Sequence, residues 1–239
     1  MKRTILAIIA ILMLTPVALH AQEREQPYQA WGFGFQVGVG GMLPTGSLGD
    51  DLKGCALFTA GLNAECRRWR LKADVAYGQP SFKNENPYNV IDSQGRNLQL
   101  NATANPTLVG GGVQLGYTLW RQGSLKITPA VGVAFSRLSW DINHIKYEKD
   151  EEDIERPVID NVTGVRKNNF SWVASVDFDI KLHARVVDYP FGIDRPGRYV
   201  SSVRISPFVT HAKFSDFNPS VKGCCLGLTV SYAGILHTF

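Results

Sequence analysis

The stretch that decides the fold is residues 226–239, LGLTVSYAGILHTF. In its first half, apolar residues alternate with small or polar ones, which is the two-residue period of a β-strand. The alternating apolar residues are Leu226, Leu228, Val230 and Tyr232. The chain then ends on Phe239. An apolar strand can end a chain in this way when it pairs with the first strand and leaves no free edge. The stretch therefore predicts the closing strand of a β-barrel.

The amino terminus has the pattern of a secretory signal. Two basic residues precede an apolar run at 5–14, and a cleavage site follows at Ala21. We therefore predict a signal peptide at 1–21 and a barrel domain at 22–239. Although 44% of the chain is hydrophobic, no run of about eighteen apolar residues occurs beyond the signal, which excludes a helical membrane protein.

The charge balance argues against a nucleic-acid partner. The formal net charge is +4. Without the two basic residues of the signal, 23 basic residues stand against 21 acidic ones. A nucleic-acid-binding domain would have a clear basic excess. We therefore expect no nucleic acid among the partners.

The first predicted strand, at 30–41, has one apolar face and one glycine-rich face. The apolar face consists of Trp31, Phe33, Phe35, Val37 and Val39. An ordinary half-buried strand would carry polar side chains opposite the apolar ones. A glycine-rich face suits the crowded inside of a small barrel, and the apolar face then meets lipid.

Seven further segments repeat the alternation, so the predicted fold class is all-β, an eight-stranded antiparallel up-and-down transmembrane β-barrel. These segments lie at 55–65, 71–77, 109–119, 125–135, 170–182, 203–209 and 226–239. Tight turns at 66–69 and 121–124 then lie in the periplasm, with a longer stretch near 187–199. The polar loops, including 141–168, lie outside. Pro129 cannot donate a ladder hydrogen bond, so it predicts a bulge or another irregularity in the fifth strand.

The tryptophans are distributed as a membrane barrel requires. Three fall at periplasmic strand ends and two at outer ends in this topology. The first three are Trp31, Trp69 and Trp120, and the other two are Trp140 and Trp172. Because amphipathic rings collect at the two interfaces of a bilayer, this distribution predicts a double aromatic girdle.

With eight strands, a signal peptide and a terminal Phe239, the chain resembles the small outer-membrane barrels of the OmpA and OmpX type. The end from Gly234 to Phe239 looks like the signal read by the outer-membrane assembly machinery, although His237 stands where an apolar residue is usual. The junction of Ala21 and Gln22 is similar to that of the outer membrane protein beta-barrel domain family of Bacteroidota type.

This resemblance implies a multi-pass protein of the Gram-negative cell outer membrane, exported through a cleaved signal peptide. It also implies outer-membrane lipid, lipopolysaccharide and the assembly machinery as partners. Members of such families adhere, scaffold, process lipids or have no known role, and some of the Bacteroidota barrels assist a dedicated secretion system.

The alternation places eight charged residues in the lumen, four acidic and four basic. They are Glu65, Lys72, Asp74, Lys126, Asp177, Asp179, Lys181 and Arg204. An eight-stranded interior is just wide enough for side chains, and an unpaired buried charge costs several kcal/mol. We therefore expect a structural network that closes the barrel. A selective channel would be expected to have an excess of one sign. Small or uncharged residues line the outer half of the lumen, which leaves room for a shallow vestibule open to the outside.

The sequence indicates no catalytic residue, no cofactor and no metal ligand. The acidic run at 148–155 lacks the ligand-and-glycine order of a calcium loop. The nearest grouping for a lipid hydrolase is His211, Ser215 and Asp216, which has no nucleophile-elbow motif.

The cysteines leave two alternatives open. Export permits disulfides, and Cys55 falls at the same predicted outer rim as Cys224 and Cys225. One bridge there is a hypothesis, and free thiols are the alternative. Cys66 lies at the other end and is expected to be unpaired.

The stretch 188–198 is long for a periplasmic turn. It carries residues that could dock a periplasmic partner, namely Tyr189, Phe191, Arg195 and Arg198. The alternative is a rigid turn packed against the base of the barrel.

Together these features favour a non-enzymatic outer-membrane barrel with a structural, scaffolding or interaction role. We expect it to be an accessory of a secretion or surface-assembly system and to have a periplasmic or surface protein partner. The alternatives are a lipid-modifying enzyme of the outer membrane and a narrow, porin-like channel. In the closing strand the apolar face changes from even to odd positions, so we also predict a bulge near Ala233 and Gly234.

Overall fold

In the computed structural model, the chain forms an antiparallel sheet that is closed on itself. The structure describes residues 31–83, 90–91, 97–98, 106–149, 155–188, 196–214 and 221–238. The predicted signal peptide at 1–21 and the terminal Phe239 lie outside these ranges.

Eight strands form the wall of the barrel, which confirms the predicted fold class. They are β1 (Gly32–Pro44), β2 (Cys55–Cys66), β3 (Trp69–Gly78), β4 (Thr107–Tyr117), β5 (Leu125–Lys149), β6 (Glu155–Asp188), β7 (Pro196–Phe214) and β8 (Val221–Thr238). Each strand pairs antiparallel with the next, and β8 pairs with β1. The wall therefore has no free edge.

Three short strands and one helix complete the described elements. Trp120–Gln122 pairs with β5 after β4 has ended, and Val90–Ile91 pairs with Asn97–Leu98 as a separate ladder. Helix α1 (Ser47–Asp51) follows β1. No helix in the described ranges is long and apolar enough to cross a membrane.

Two tight turns define one end of the barrel, the short-turn end. Residues 67–68 connect β2 to β3, and Arg67 has a φ of 55°. The second turn places Gly123 at a φ of 59°, two residues before β5 begins. Both turns lie where the sequence predicted them. The opposite end carries the longer connections and is called the long-loop end.

The side-chain facing of β1 to β5 follows the predicted alternation. The apolar residues of β1, such as Phe33, Phe35 and Val37, are about half exposed on the outside of the wall. The glycines at the even positions of β1 face the lumen, where space is short. A Cβ atom on Gly40 would lie 2.3 Å from the carbonyl oxygen of Leu228 on β8. Backbone crowding therefore explains why this face has so few side chains.

β8 runs without the bulge that the sequence predicted near Ala233 and Gly234. Its ladder with β1 continues one-to-one through Gly234, which lies opposite Phe35. Ile235 consequently faces the lumen and is 4% exposed. The ring of Tyr199 covers the outer side of Gly234, where a Cβ atom would lie 2.3 Å from its hydroxyl oxygen. The outer surface is thus apolar here without a change of facing, so the predicted bulge is wrong.

Pro129 coincides with an interruption in the neighbouring strand. β4 ends at Tyr117, and pairing resumes at Trp120 opposite Ile127. On the other side of β5, the pairing of Pro129 with Val176 is regular. β5 itself is continuous through Pro129, so the irregularity predicted in the fifth strand is wrong, and the interruption lies in the neighbouring β4.

β5 and β6 continue beyond the long-loop end as a two-stranded ribbon, defined here as residues 140–149 with 155–165. β4 last pairs with β5 at Ser139, whereas β5 and β6 stay paired as far as Lys149. At about 3.3 Å per residue, the ribbon extends about 30 Å. The prediction of a loop at 141–168 is wrong for these residues, because the pairing with β6 continues after the other strands have ended.

Candidate functional site in the barrel lumen

Seven of the eight charged residues predicted for the lumen lie there together. They are Glu65, Lys72, Asp74, Lys126, Asp177, Asp179 and Arg204. Lys181 does not join them, because its side chain is exposed. β6 shifts register at this point, with Ser201 opposite His183 and Ser202 opposite Lys181. The backbone N–H of Lys181 donates to the carbonyl of Ser124 in the short turn. Lys181 therefore lies at the rim, and its predicted place in the lumen is wrong.

Arg70, which the sequence reading missed, is the centre of this group. The residue is 1% exposed. Its Nε donates to Glu65 Oε1 at 2.8 Å, its Nη1 to Asp177 Oδ2 at 3.1 Å and its Nη2 to Asp179 Oδ2 at 2.5 Å. The two aspartates lie on β6, which is not a neighbour of β3, so these bonds cross the lumen. The alternation of β3 puts Arg70 on the face of Lys72, but its position directly after the turn hid this role.

A second lysine closes the group toward the short-turn end. Lys126 Nζ lies 2.7 Å from Glu65 Oε1 and 3.8 Å from Asp179 Oδ2. His237, from β8, places its Nε2 4.0 Å from Glu65 Oε2. Three strands thus meet around one glutamate at the base of the lumen.

Arg204 forms the second link across the lumen. Its Nε donates to Asp179 Oδ1 at 2.6 Å, and its Nη1 donates to Asn63 Oδ1 at 2.8 Å. The same Nη1 also donates to Gln36 Oε1. Arg204 lies on β7, Gln36 on β1 and Asn63 on β2. This arginine therefore links β7 to two strands with which β7 does not pair.

The carboxylates are bound unequally. Asp177 Oδ1 accepts from Lys72 Nζ at 3.3 Å and from the Ser206 hydroxyl at 2.7 Å. Among the described residues, Asp74 has only long contacts, 4.0 Å to Lys72 Nζ and 3.4 Å to Gln114 Nε2. Its side chain is 23% exposed. Asp74 is therefore the carboxylate of this group with the most unused acceptor capacity.

The charge cluster consists of Glu65, Arg70, Lys72, Asp74, Lys126, Asp177, Asp179 and Arg204. With Arg70 in place of Lys181 it still has four acidic and four basic residues. Such a balanced set compensates the cost of burying each charge, whereas a single unpaired charge would not be compensated. Its bonds cross a lumen that is narrow in any eight-stranded barrel.

An apolar layer lies above the charge cluster, toward the long-loop end. It consists of Met42, Leu48, Leu52, Leu57, Leu138, Trp140, Ala212 and Cys225. Trp140 is 7% exposed and packs edge-on against Phe82, with ring centroids 5.8 Å apart. Its predicted place in the outer aromatic girdle is therefore wrong, since it stands on the lumen face of β5. Trp31, Trp69 and Trp172 are half exposed on the outside of the wall, as the girdle requires.

Helix α1 holds part of this layer over the mouth of the barrel. The Ser47 hydroxyl donates to the carbonyl of Lys222 at 3.0 Å, and the Thr45 hydroxyl donates to the carbonyl of Cys224 at 2.8 Å. Leu48, from the helix itself, is buried in the layer. The segment after β1 thus folds inward onto β8 instead of extending into solvent.

A cavity of about 150 Å³ lies between the charge cluster and the apolar layer. Lys72, Asp74 and Gln114 form its polar floor, and Leu57 and Phe208 are among its apolar walls. The sequence predicted a vestibule in this half of the lumen. The apolar layer and α1 partly cover that space, which the prediction did not include.

Most of the predicted docking turn lies outside the described ranges, including Tyr189, Phe191 and Arg195. Arg198 is described, and it lies within β7, opposite Val186. The docking role of this stretch stays a prediction.

All four cysteines are free thiols. Cys225 is part of the apolar layer and Cys55 packs against it, so the two share a rim as predicted, but without the hypothesised bridge.

Few of the residues considered for catalysis or metal binding are described. Ser215 and Asp216, which were grouped with His211, lie outside the described ranges, as does the centre of the acidic run at 150–154. Within the described ranges, no group of three or more His, Cys, Asp or Glu residues is arranged to hold a metal ion.

The closed wall, its apolar outer surface and the narrow lumen lined by side chains define a β-barrel of the membrane-spanning type. No protein-family model matches the chain, and no curated protein matches its sequence.

Several solved structures are similar in fold. Neisserial surface protein A is 10% identical, with 84% of this chain and 95% of that chain covered and a TM-score of 0.47. Ail, the attachment invasion locus protein of Yersinia pestis, is 10% identical, with 87% and 98% covered and a TM-score of 0.39. The outer membrane protease OmpT from Escherichia coli is 10% identical, with 90% and 99% covered and a TM-score of 0.34.

Proposed function

We propose that this protein is an integral outer-membrane barrel with a closed lumen, which acts through its surface contacts rather than by transport. The apolar residues on the outer wall support insertion into lipid, and the tryptophans at the strand ends support interfaces with lipid and lipopolysaccharide head groups. In this orientation the short-turn end faces the periplasm and the ribbon extends from the cell surface.

The charge cluster is the observation that carries the proposal. Arg70 and Arg204 join strands on opposite sides of the lumen, and both are almost completely buried. Ions would have to displace these bonds in order to pass. A pore would instead be expected to keep a wet path lined by an excess of one charge. With the lumen closed, the cell-surface end and the periplasmic end of the barrel are the parts that can meet partners.

Planar-bilayer recording of the purified protein tests the closure. We expect no stepwise conductance above that of the lipid alone, with insertion verified in the same preparation by flotation of protein-containing vesicles. Regular conductance steps from the inserted protein would overturn the proposal in favour of a channel.

The ribbon supports an interaction role at the cell surface. A two-stranded ribbon is at best marginally stable on its own in water, so contact with a partner would stabilise it. We propose a surface or periplasmic protein as that partner, within a secretion or surface-assembly system. The lipid-facing wall has no comparable projection among the described residues.

Chemical cross-linking in native membranes, followed by purification of this protein, tests the partner. In one variant, an Asn-Gly turn replaces 142–163, so that Asp141 stays opposite Gly164. In the matched control, a four-residue turn replaces 189–195 at the other end. Loss of a cross-linked partner only in the first variant supports a surface role, and loss only in the second supports a periplasmic one. A partner pattern that neither variant changes contradicts an interaction role for both elements.

A further inference from the structure

The cavity between the charge cluster and the apolar layer is open space that the packing of neither layer requires. A structural plug would be expected to fill the lumen completely, because protein interiors are close-packed and contain few voids larger than a water molecule. Here about 150 Å³ stays open. An apolar cavity of about this size is large enough to bind a benzene-sized molecule.

The walls of the cavity favour an apolar occupant. Leu57, Leu138, Val173 and Phe208 line it, and Leu57 is 3% exposed. Water molecules placed against these side chains would find few hydrogen-bond partners, whereas a ring or a branched hydrocarbon would gain contacts on several sides. The body of the occupant is therefore expected to be a compact hydrocarbon.

The floor of the cavity favours one polar group on the ligand. Ser175 donates to Gln114 Oε1 at 2.7 Å and Ser206 donates to Asp177 at 2.7 Å, so these two hydroxyl protons are already used. Asp74, which also lines the cavity, has only the long contacts described above. A buried acceptor with weak partners gains most from a new donor. The floor therefore fits a ligand that brings one O–H or N–H group.

We propose that the cavity is a binding site for a small, uncharged, mostly apolar molecule with a single O–H or N–H group. This group donates a hydrogen bond to the carboxylate of Asp74. By comparison with a benzene-sized cavity, the ligand has about seven to nine non-hydrogen atoms. The charge cluster already balances its own charges, so an uncharged ligand leaves that balance intact. The site lies at the long-loop end of the charge cluster and goes beyond the proposed surface role.

Part of the covering of the cavity comes from a short segment, α1 with the residues that flank it. α1 is five residues long and is tied to β8 by the hydroxyls of Ser47 and Thr45. On its other side, Lys53 donates its backbone N–H to the carbonyl of Ser81 at 2.7 Å. Among the described residues, α1 and the residues that flank it are the part of the covering that could move without displacing a strand of the wall.

Methyl NMR of the protein in lipid nanodiscs tests the site with two matched probes, benzyl alcohol and toluene. Both rings fit the apolar walls, but only benzyl alcohol brings a hydroxyl. We expect saturable shifts of the Leu57 methyl groups for both probes. Leu62, which is 68% exposed to lipid, reports the non-saturable partition of each probe into the bilayer and is the internal control.

Two substitutions separate the apolar and polar parts of the proposal. Asp74→Asn keeps the shape of the side chain but weakens the acceptor, so it should reduce the affinity for benzyl alcohol about tenfold and leave that for toluene within about twofold. Ala134→Leu, on the wall of the cavity, should abolish the saturable shifts for both probes. Ala60→Leu, on the lipid-facing side of β2, is its matched control and should bind both probes like the wild type.

The wild-type titration decides the matter even if a variant does not fold. Shifts at Leu57 that grow in proportion to those at Leu62, without saturation, would show partition alone and overturn the site. Equal affinities of the wild type for both probes, or an equal loss of both in Asp74→Asn, would overturn the role of Asp74.

Discussion

Arg70→Met is the substitution that tests the charge cluster most directly. Methionine keeps much of the apolar length of the side chain but removes the guanidinium, which contacts three carboxylates at 2.5–3.1 Å. Removing one partner of a buried ion pair typically costs about 3–5 kcal/mol. Each carboxylate nevertheless keeps at least one other cation within 4.0 Å, so we expect a loss near the lower end, about 3 kcal/mol. The shortest remaining pairs are Lys126 with Glu65, Lys72 with Asp177, and Arg204 with Asp179.

Reversible urea unfolding in lipid vesicles, followed by tryptophan fluorescence, measures this loss as a change in the free energy of unfolding. Arg137→Met is the matched control, because Arg137 is exposed and donates to Asn168 at 2.9 Å, where a loss of less than about 1 kcal/mol is expected. Combining Arg70→Met with Asp179→Asn should cost less than the sum of the single losses, because both remove the same contact. Equal losses for the two methionine variants, or strict additivity in the pair, would refute a coupled buried cluster.

Three further substitutions address other parts of the molecule. Gly132→Ala should destabilise the barrel by about 1–3 kcal/mol in the same assay, because its Cβ would lie 1.9 Å from the carbonyl oxygen of Val113. Gly164→Ala is the control and should not destabilise the barrel, because the nearest atom to its Cβ would be 3.5 Å away. Equal effects of the two substitutions would contradict the steric reason. Leu138→Ala should cost about 2–5 kcal/mol through loss of packing in the apolar layer, whereas a loss near zero would mean that the layer contributes little to stability. Replacing 142–163 by Asn-Gly should leave the unfolding midpoint of the barrel unchanged, since the full wall ends at Ser139, and a clear drop would show that the ribbon supports the wall.

The facing of residues within the wall could be predicted from the sequence because it depends on one strand at a time. Successive side chains of any strand point to opposite sides, and lipid on one side and a narrow lumen on the other select different residues. The alternation in β1, β2 and β3 therefore placed Phe35, Leu62 and Lys72 on the correct sides. The two tight turns were equally local and were also predicted.

What the sequence did not predict depends on contacts between distant strands. Arg70 stands next to Asp177 only because the closed sheet brings β3 opposite β6, and no local pattern reports that distance. Lys181 follows a register shift that is set by pairing with β7. Trp140 was placed by its position along the chain, but its burial depends on Phe82 and α1, which fold over the mouth of the barrel. The cavity has the same origin and could not be seen from single strands.

The charge cluster also bears on how the register of the wall is selected. Alternation excludes a slip of one residue between neighbouring strands, because every side chain would change faces. It does not exclude a slip of two residues, which moves a strand about 7 Å and preserves all faces. If β3 slipped by two toward the short-turn end, Lys72 would replace Arg70, and one ammonium cannot reproduce the forked contacts of a guanidinium. Asp74 would then take the position of Lys72, where the neighbouring group is the carboxylate of Asp177. The order Arg70, Lys72, Asp74 along β3 thus makes this slip electrostatically unfavourable, which gives the buried charges a role in specifying the register as well as in closing the lumen.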